Sequence, residues 1–145
     1  MLKSGTLQPI ALPNWSIGAT LSVGAAGTTS TSIPFFGESL RPLAPVNLSS
    51  ERQGTGELLL RWTRRSRDGF AWLDGIDAPL GEASEQYRVK LNGVGGALEL
   101  TSMESLLTIA AADLAALGVG AATLEVQQIG DVAASRAARL NLILS

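Results

Sequence analysis

The chain has 145 residues, a formal net charge of −2 and a pI near 5.1, and it contains neither cysteine nor histidine. Its length suits one domain with a buried core, with or without an ordered arm. The missing residue types exclude thiolate nucleophiles, disulfides, the common zinc sites and every triad that needs histidine. The weakly acidic balance disfavours nucleic-acid binding through general phosphate attraction.

Charged residues make up 17% of the chain, against about 25% in ordinary globular proteins, and this deficit indicates burial in an assembly. Residues 4–37 carry no charge at all. Pro9, Pro13 and Pro34 interrupt this stretch, so it holds no apolar run long enough to span a membrane. It also lacks the compact apolar centre of a secretory signal. We therefore expect neither a membrane span nor a targeting segment.

Residues 1–41 are rich in Gly, Ser, Thr and Ala, which favours an extended arm or a small β-subdomain. An exposed stretch without charge is poorly solvated beside other copies of itself, so we expect it to lie against a partner or to pair its backbone in a sheet. Hairpins packed on the main domain are an equally good interpretation. Trp15, Phe35 and Phe36 are the candidate anchors of this arm, either in a partner or in a core of its own.

Pro42 and Pro45 mark a boundary, because proline suits an extended linker that enters a first strand. Residues 42–145 then form the main domain. Alternation of apolar and polar residues, with turn residues between the runs, predicts seven short strands and therefore an all-β sandwich. The predicted strands are 46–50, 57–64, 86–91, 97–101, 105–110, 122–129 and 137–144.

The apolar positions of these strands predict one shared core, with Trp62 among its members. A fully buried side chain of this kind stabilises the fold by roughly 1.5–3 kcal/mol, so the set is large enough for a stable domain. The polar neighbours Arg88, Lys90, Glu99 and Glu125 fall on the opposite faces. The predicted inward residues are Val46, Leu48, Leu58, Leu60, Trp62, Tyr87, Val89, Leu91, Leu98, Leu100, Leu107, Ile109, Leu124, Val126, Leu140, Leu142 and Leu144.

Two connections have a recognisable chemistry. Residues 92–96, Asn-Gly-Val-Gly-Gly, predict a hairpin between the third and fourth strands, because asparagine and glycine accept a positive φ at low cost. Residues 110–117 are the one helix-like segment, with Asp113 as its candidate cap and Gly118 as its end. A longer helix over 105–117 is the competing interpretation.

The long connection between the second and third strands carries the densest charge. Arg61, Arg64, Arg65 and Arg67 fall within seven positions. Guanidinium groups bind carboxylates or phosphates and stack on aromatic rings, which favours a contact patch for a neighbouring protein or an anionic glycan. The stronger interpretation is pairing within the loop, because five carboxylates lie nearby, at Asp68, Asp74, Asp77, Glu82 and Glu85.

Phe70 and Trp72 add aromatic surface to the same connection. Spaced by one residue, they point to one side of an extended loop, where such rings anchor interfaces or stack on sugars. Folding back to close the end of the sandwich is at least as good an interpretation. The binding candidates of the loop are therefore Arg64, Arg65, Arg67, Phe70 and Trp72.

Two pairs of acidic residues, at 74 and 77 and at 82 and 85, raise the question of glycosidase chemistry, which uses two carboxylates. Their three-residue spacing is common by chance, and neither the length nor the fold implies a sugar-binding cleft. An Asp-x-Asp-x-Asp-Gly calcium loop is absent from the sequence. We expect no catalytic residues, no metal and no cofactor.

A proline-led first strand, Trp62 inside the second strand and the Tyr-Arg-Val run 87–89 in the third resemble a fibronectin type III module. Leu114 or Leu117, ahead of the sixth strand, adds to the likeness. The resemblance implies an immunoglobulin-like, seven-stranded sandwich. The connection over 65–84 departs from that module, whose link at this point is usually shorter.

A narrower resemblance lies in LRPLAPVNL at 40–48, WTRRSR at 62–67, WLDGIDAPLGE at 72–82 and YRV at 87–89. Together these strings are similar to the C-terminal region of large tail-tip proteins of siphophages and gene transfer agents, the host specificity and baseplate hub proteins. The resemblance implies a structural virion component at a phage-type tail tip, in several copies on or beside a threefold hub. It also implies docking to other hub proteins and contact with a host surface glycan or protein.

Two alternatives stay open. The start at Met1 fits either a separate polypeptide or a fragment of a longer hub protein. A different class of function is a carbohydrate-binding module, in which the loop from Arg64 to Trp72 forms a sugar platform without any scaffold role.

Overall fold

The computed structural model describes residues 18–24, 29–67 and 79–145. Backbone contacts divide the chain into two compact units, Met1–Leu40 and Arg41–Ser145. The division falls beside the proline-containing segment at which the composition changes. Each unit has sheets of its own.

The described part of the first unit is a β-hairpin. Strands β1 (Thr20–Val23) and β2 (Thr31–Pro34) pair antiparallel, with Leu21 opposite Ile33. The ladder continues one step further, where the N–H of Phe35 donates to the carbonyl of Ala19 at 2.9 Å. A short 3-10 turn over Glu38–Leu40 ends the unit. The described residues of this unit therefore pair their backbones in a small antiparallel sheet, which was one of the two expectations for this segment.

The described residues of the second unit form seven strands and one short helix, and the predicted all-β sandwich is confirmed. Three strands form one antiparallel sheet in the order β3-β4-β7, and four form another in the order β6-β5-β8-β9. Each predicted strand is present within a few residues of its predicted bounds. The elements are β3 (Val46–Arg52), β4 (Leu58–Thr63), β5 (Tyr87–Gly93), β6 (Gly96–Ser102), β7 (Leu106–Ile109), α1 (Ala111–Leu117), β8 (Gly120–Gln128) and β9 (Ala138–Leu144).

The core lies between the two sheets and is most completely buried on their central strands. Trp62 on β4 and Tyr87 on β5 meet edge to face, with ring centroids 5.0 Å apart and planes at 72°. The other buried apolar residues of this core are Leu58, Leu60, Val89, Leu91, Ile109, Leu114, Leu117, Ala122, Leu124, Val126 and Leu144. Six predicted core leucines are only partly buried because they lie on edge strands, namely Leu48, Leu98, Leu100, Leu107, Leu140 and Leu142.

Strand β3 contains a β-bulge that was not predicted from the sequence. The register pairs Val46 with Thr63 but Ser49 with Arg61, so two residues of β3 oppose one residue of β4. The extra residue is Asn47, whose φ of 52° is the only positive value at a non-glycine position among the described residues. Asparagine tolerates this left-handed conformation better than most residues. The bulge bends an edge strand, which is a common protection against unwanted strand pairing.

The predicted hairpin joins β5 and β6, and its turn lies within the predicted residues 92–96. Asn92 and Gly93 extend β5, and the two turn residues are Val94 and Gly95. Glycine is needed at position 93, because a Cβ there would lie 2.6 Å from the carbonyl oxygen of Leu117. The glycines at this hairpin serve a close approach of the turn to the end of α1.

The helix α1 has the predicted length of about two turns. The longer helix over 105–117 is wrong, because Leu106–Ile109 form β7 and pair with β4. Asp113 was expected to cap the helix, but the capping position is Ala110, which provides no side-chain hydrogen bond. Asp113 instead lies exposed in the first turn, where its charge suits the helix dipole.

Leu60 and Leu106 offer a matched test of this core. Leu60 is fully buried on the central strand β4, whereas Leu106 on the edge strand β7 is 41% exposed. We expect Leu60→Ala to lower the free energy of unfolding by about 2–5 kcal/mol through lost burial and the cavity left behind. Leu106→Ala should change it by about 0.5 kcal/mol. Equal losses in urea unfolding would contradict the two-layer core described here.

Candidate functional site

The described ends of the connection between β4 and β5 are fixed by two ion pairs. Arg67 Nη2 lies 3.0 Å from Glu82 Oε1 and donates to the carbonyl of Gly81 at 3.4 Å. Arg64 Nε lies 4.0 Å from Glu85 Oε2. For these two arginines the structure shows the internal pairing that the nearby carboxylates predicted. Because Arg67 and Gly81 touch, the two ends of the connection leave the sandwich side by side.

Glu82 also joins this connection to the loop between β8 and β9. Its side chain is 1% exposed, and its second oxygen accepts the backbone N–H of Asp131 at 3.0 Å. In return, both carboxylate oxygens of Asp131 accept the backbone N–H of Ala83, at 3.0 and 3.1 Å. We call this reciprocal arrangement the Glu82–Asp131 clip. A buried carboxylate is costly unless it is paired and hydrogen-bonded, and Glu82 satisfies both conditions.

A second network ties the same connection to the core. Glu85 Oε1 accepts hydrogen bonds from the hydroxyl of Tyr87 at 2.8 Å and from that of Ser105 at 2.9 Å. The two hydroxyls are 3.2 Å apart. Burial, with the hydrogen bond and charge of Glu85 adding to it, raises the pKa of Tyr87 to about 12. Tyr87 belongs to β5 and Ser105 immediately precedes β7, so Glu85 links the connection to both sheets.

The structure separates the predicted binding residues into two groups. Arg64 and Arg67 are half-buried in the ion pairs, whereas Arg65 is exposed beside them. Phe70 and Trp72 lie outside the described residues. The contact role of this loop therefore stays a prediction, and among its described members Arg65 is the one whose side chain faces solvent.

The predicted arm anchors also separate. Trp15 lies outside the described residues. Phe35 is half-buried and continues the β1–β2 ladder through its backbone, whereas Phe36 is 60% exposed. Of the three candidates, Phe36 presents the largest described aromatic surface.

Sequence reasoning missed the residues that complete the base of the connection. Asp131 lies 48 positions from its partner Ala83, and Ser105 lies 20 positions from its partner Glu85. A local sequence pattern cannot predict contacts over such separations. The Gly130-Asp131 pair, between the predicted strands 122–129 and 137–144, is a turn-forming dipeptide that could have indicated a loop here. Gly130 is needed there because a Cβ would lie 2.7 Å from Glu82 Oε2 and 2.8 Å from Cδ of Pro42.

The described residues contain no group of three or more acidic side chains placed to hold a metal ion. No helix among them is long and apolar enough to cross a bilayer. Glu82 and Glu85, one of the acidic pairs considered for catalysis, are both occupied by structural partners. These contacts hold the described ends of the connection, residues 64–67 and 79–86, against the sandwich.

Comparison with known proteins shows the fold. No protein-family model and no curated protein sequence matches the chain. Among solved structures, it is similar to domains d3-d4 of the rat CD45 extracellular region, with a TM-score of 0.52 and 6% identity over 99% of this chain and 73% of that chain. It is also similar to a structure of titin kinase and its flanking domains, with a TM-score of 0.51 and 15% identity over 72% of this chain and 17% of that one. The second unit is thus a fibronectin type III-like sandwich, as the sequence predicted.

The clip can be tested with two glycine variants. Gly130→Ala places a methyl group against the Glu82 carboxylate and Pro42, so we expect a loss of about 1–3 kcal/mol in the free energy of unfolding. Gly54→Ala is the control, since no atom lies within 4 Å of a Cβ at that position, and it should change stability by about 0.5 kcal/mol. Equal stability of both variants in denaturant titration would show that the clip does not hold the loops together.

The Tyr87 network predicts a pH dependence. An unfolded tyrosine ionises near pH 10, and the folded pKa is raised to about 12. The neutral phenol is therefore favoured in the folded state, so its contribution is complete below pH 10 and is lost as the pH rises from 10 towards 12. Because the chain contains a single tyrosine, the phenolate absorbance reports this group alone. A midpoint near pH 10 in the folded protein would contradict the network, and Tyr87→Phe should abolish the signal.

Proposed function

We propose that this chain is a non-enzymatic structural component of a phage-type tail tip, where it docks to hub proteins and presents a contact surface towards the host. Two lines of support converge on this role. The strings over 40–48, 62–67, 72–82 and 87–89 resemble tail-tip proteins, and the fibronectin type III-like fold holds both described ends of the long connection through ion pairs. The charge-poor first unit provides a separate element for docking. The proposed location is the virion, in several copies per particle.

The observation that carries the proposal is the fixed base of the connection between β4 and β5. Arg67 and Glu82 meet at 3.0 Å, and the Glu82–Asp131 clip binds the base to a third loop. A segment whose attachment points are fixed loses less conformational freedom on binding. The segment that begins after Arg67 carries Phe70 and Trp72, residue types that anchor interfaces. This arrangement supports display of a contact segment.

The non-enzymatic part of the proposal rests on how the acidic residues are used. A general acid or base needs a carboxyl group that can approach a substrate. Glu82 is 1% exposed and engaged on both oxygens, and Glu85 accepts two hydroxyl hydrogen bonds. Their contacts account for their positions without a reaction. Asp74 and Asp77, the other pair, lie outside the described residues.

Assembly is the first test of this function. The chain should bind its cognate hub proteins in co-purification and should be located at the tail tip by electron microscopy of particles. Deletion of residues 1–40 should abolish incorporation while the sandwich still unfolds cooperatively. A chain that never enters particles made with its cognate hub proteins would overturn the proposal.

Three arginine variants distinguish a role in host adhesion from a role in the stability of the fold. Arg65→Ala should weaken adhesion of particles to host cells without changing the melting temperature, because Arg65 is exposed at the described start of the long connection. Arg67→Ala should lower the melting temperature by several degrees, because it leaves the buried Glu82 carboxylate without its guanidinium. Arg52→Ala, at an exposed position on β3, should change neither quantity.

The same variants address the carbohydrate-binding alternative, which the exposed Arg65 also fits. Calorimetric titration of the isolated chain with host envelope glycans should show no binding if the chain is a docking piece whose contact is with protein. Sugar binding that disappears in Arg65→Ala, together with normal particle assembly without the chain, would favour the carbohydrate-binding module instead.

A further inference from the structure

The β1–β2 ribbon, residues 18–24 and 29–36, has one apolar and one polar face. Cross-strand partners share a face, so Leu21 and Ile33 lie on one side and Ser22 and Ser32 on the other. The apolar side is poorly covered, with Val23 52% and Ile33 47% exposed. An isolated two-stranded ribbon is marginally stable in water, and three or more strands are usually needed. The ribbon as described lacks a third strand.

The backbone hydrogen bonds of the ribbon identify which groups face outwards. The N–H of Phe35 donates to the carbonyl of Ala19 and its own carbonyl accepts the N–H of Gly18, so both backbone groups of Phe35 face β1. Inward-facing residues alternate with outward-facing ones along an antiparallel ladder. Leu21 and Ile33 therefore bond to each other, and the intervening Ser22 and Ser32 direct their N–H and C=O groups to the two outer edges.

The two edges differ in what they offer to another strand. The outward positions of β1 are Thr20 and Ser22, which both retain an N–H donor. The outward positions of β2 are Ser32 and Pro34, and proline has no N–H to donate. Edge strands commonly carry proline as a protection against pairing. The edge of β1 has no such protection and no charged side chain.

We propose that the β1 edge pairs antiparallel with the β1 edge of a second copy of this chain, which joins the two ribbons into one four-stranded sheet. The pairing is centred on Leu21, with Thr20 of one copy opposite Ser22 of the other. Both outward donors of each β1 strand then find acceptors. The inference rests on the multi-copy role proposed above and names the contact through which copies associate.

A second copy fits this edge better than an unrelated strand for two reasons. Identical strands repel each other when they carry charge, and residues 4–37 carry none. Threonine opposite serine is also a favourable cross-strand pair, because their hydroxyl groups can hydrogen-bond. A two-fold arrangement places the same edge on both sides of the contact, so one strand sequence satisfies both partners.

Proline substitutions test the choice of edge. Light scattering and sedimentation of the full chain should show a dimer, and Ser22→Pro should raise its dissociation constant by about tenfold or more, because both Ser22 donors of the interface are lost. Ser32→Pro is the matched control on the β2 edge and should leave the dimer intact. Ser22→Ala, which keeps the N–H, should also leave it intact. A monomeric full chain, or a dimer unaffected by Ser22→Pro, overturns the proposal.

A cross-link provides a test that does not depend on how Ser22→Pro folds. The chain contains no cysteine, so a single introduced cysteine can form a disulfide only between copies. Leu21→Cys places two cysteines opposite each other at the centre of the contact, where Cα atoms in a non-hydrogen-bonded pair lie about 4.5 Å apart, within reach of a disulfide. Oxidation should convert this variant to a covalent dimer, whereas Ile33→Cys on β2 should stay monomeric on a denaturing gel. Equal cross-linking of the two variants, or none, overturns the pairing.

Particle incorporation distinguishes this inference from the proposed function. A Ser22→Pro chain that is monomeric but still enters tail particles would show that the pairing exists and that docking does not need it. A wild-type chain that is monomeric and still enters particles would overturn the pairing and leave the function standing. A wild-type dimer that never enters particles would overturn the function and leave the pairing standing.

Discussion

The edge-to-face contact between Trp62 and Tyr87 is the interaction on which the described sandwich depends. One ring comes from the central strand of the three-stranded sheet and the other from the four-stranded sheet, so their contact joins the two layers. The hydroxyl of Tyr87 then extends the contact outwards to Glu85 and Ser105. Glu85 in turn lies 4.0 Å from Arg64 at the start of the long connection. The core thereby holds the described ends of the long connection through a short series of contacts.

Buried charge decides which arginines of the dense cluster are structural. Removing Glu82 from water is costly, and Arg67 together with the N–H of Asp131 offsets that cost within a single site. These contacts hold three segments together, the two ends of the long connection and the loop after β8. Arg65 takes no part in the two ion pairs of this site and is exposed. Arg64, Arg65 and Arg67 thus have different surroundings, although they are neighbours in the sequence.

The two units differ in how they bury their apolar surfaces and protect the backbone groups of their edge strands. The sandwich buries the inner faces of both sheets, and its edge strand β3 is bent by the bulge at Asn47. The β1–β2 ribbon has no described second layer, and its β1 edge lacks both charge and proline. Of the 24 charged residues, 22 lie in the second unit and only Lys3 and Glu38 lie in the first.

The seven strands, the fold class and the core position of Trp62 could be predicted from the order of the residues, because alternation with period two is local and each strand buries one face. The bulge at Asn47, the turn residues Val94 and Gly95 and the different surroundings of the arginines became visible only in the folded chain. The last two depend on contacts between distant segments, such as the carbonyl of Leu117 beside Gly93 or Asp131 beside Ala83, 48 positions apart. The type of a residue determines which contacts its side chain can make. Which of these contacts form depends on the segments that the fold brings next to it.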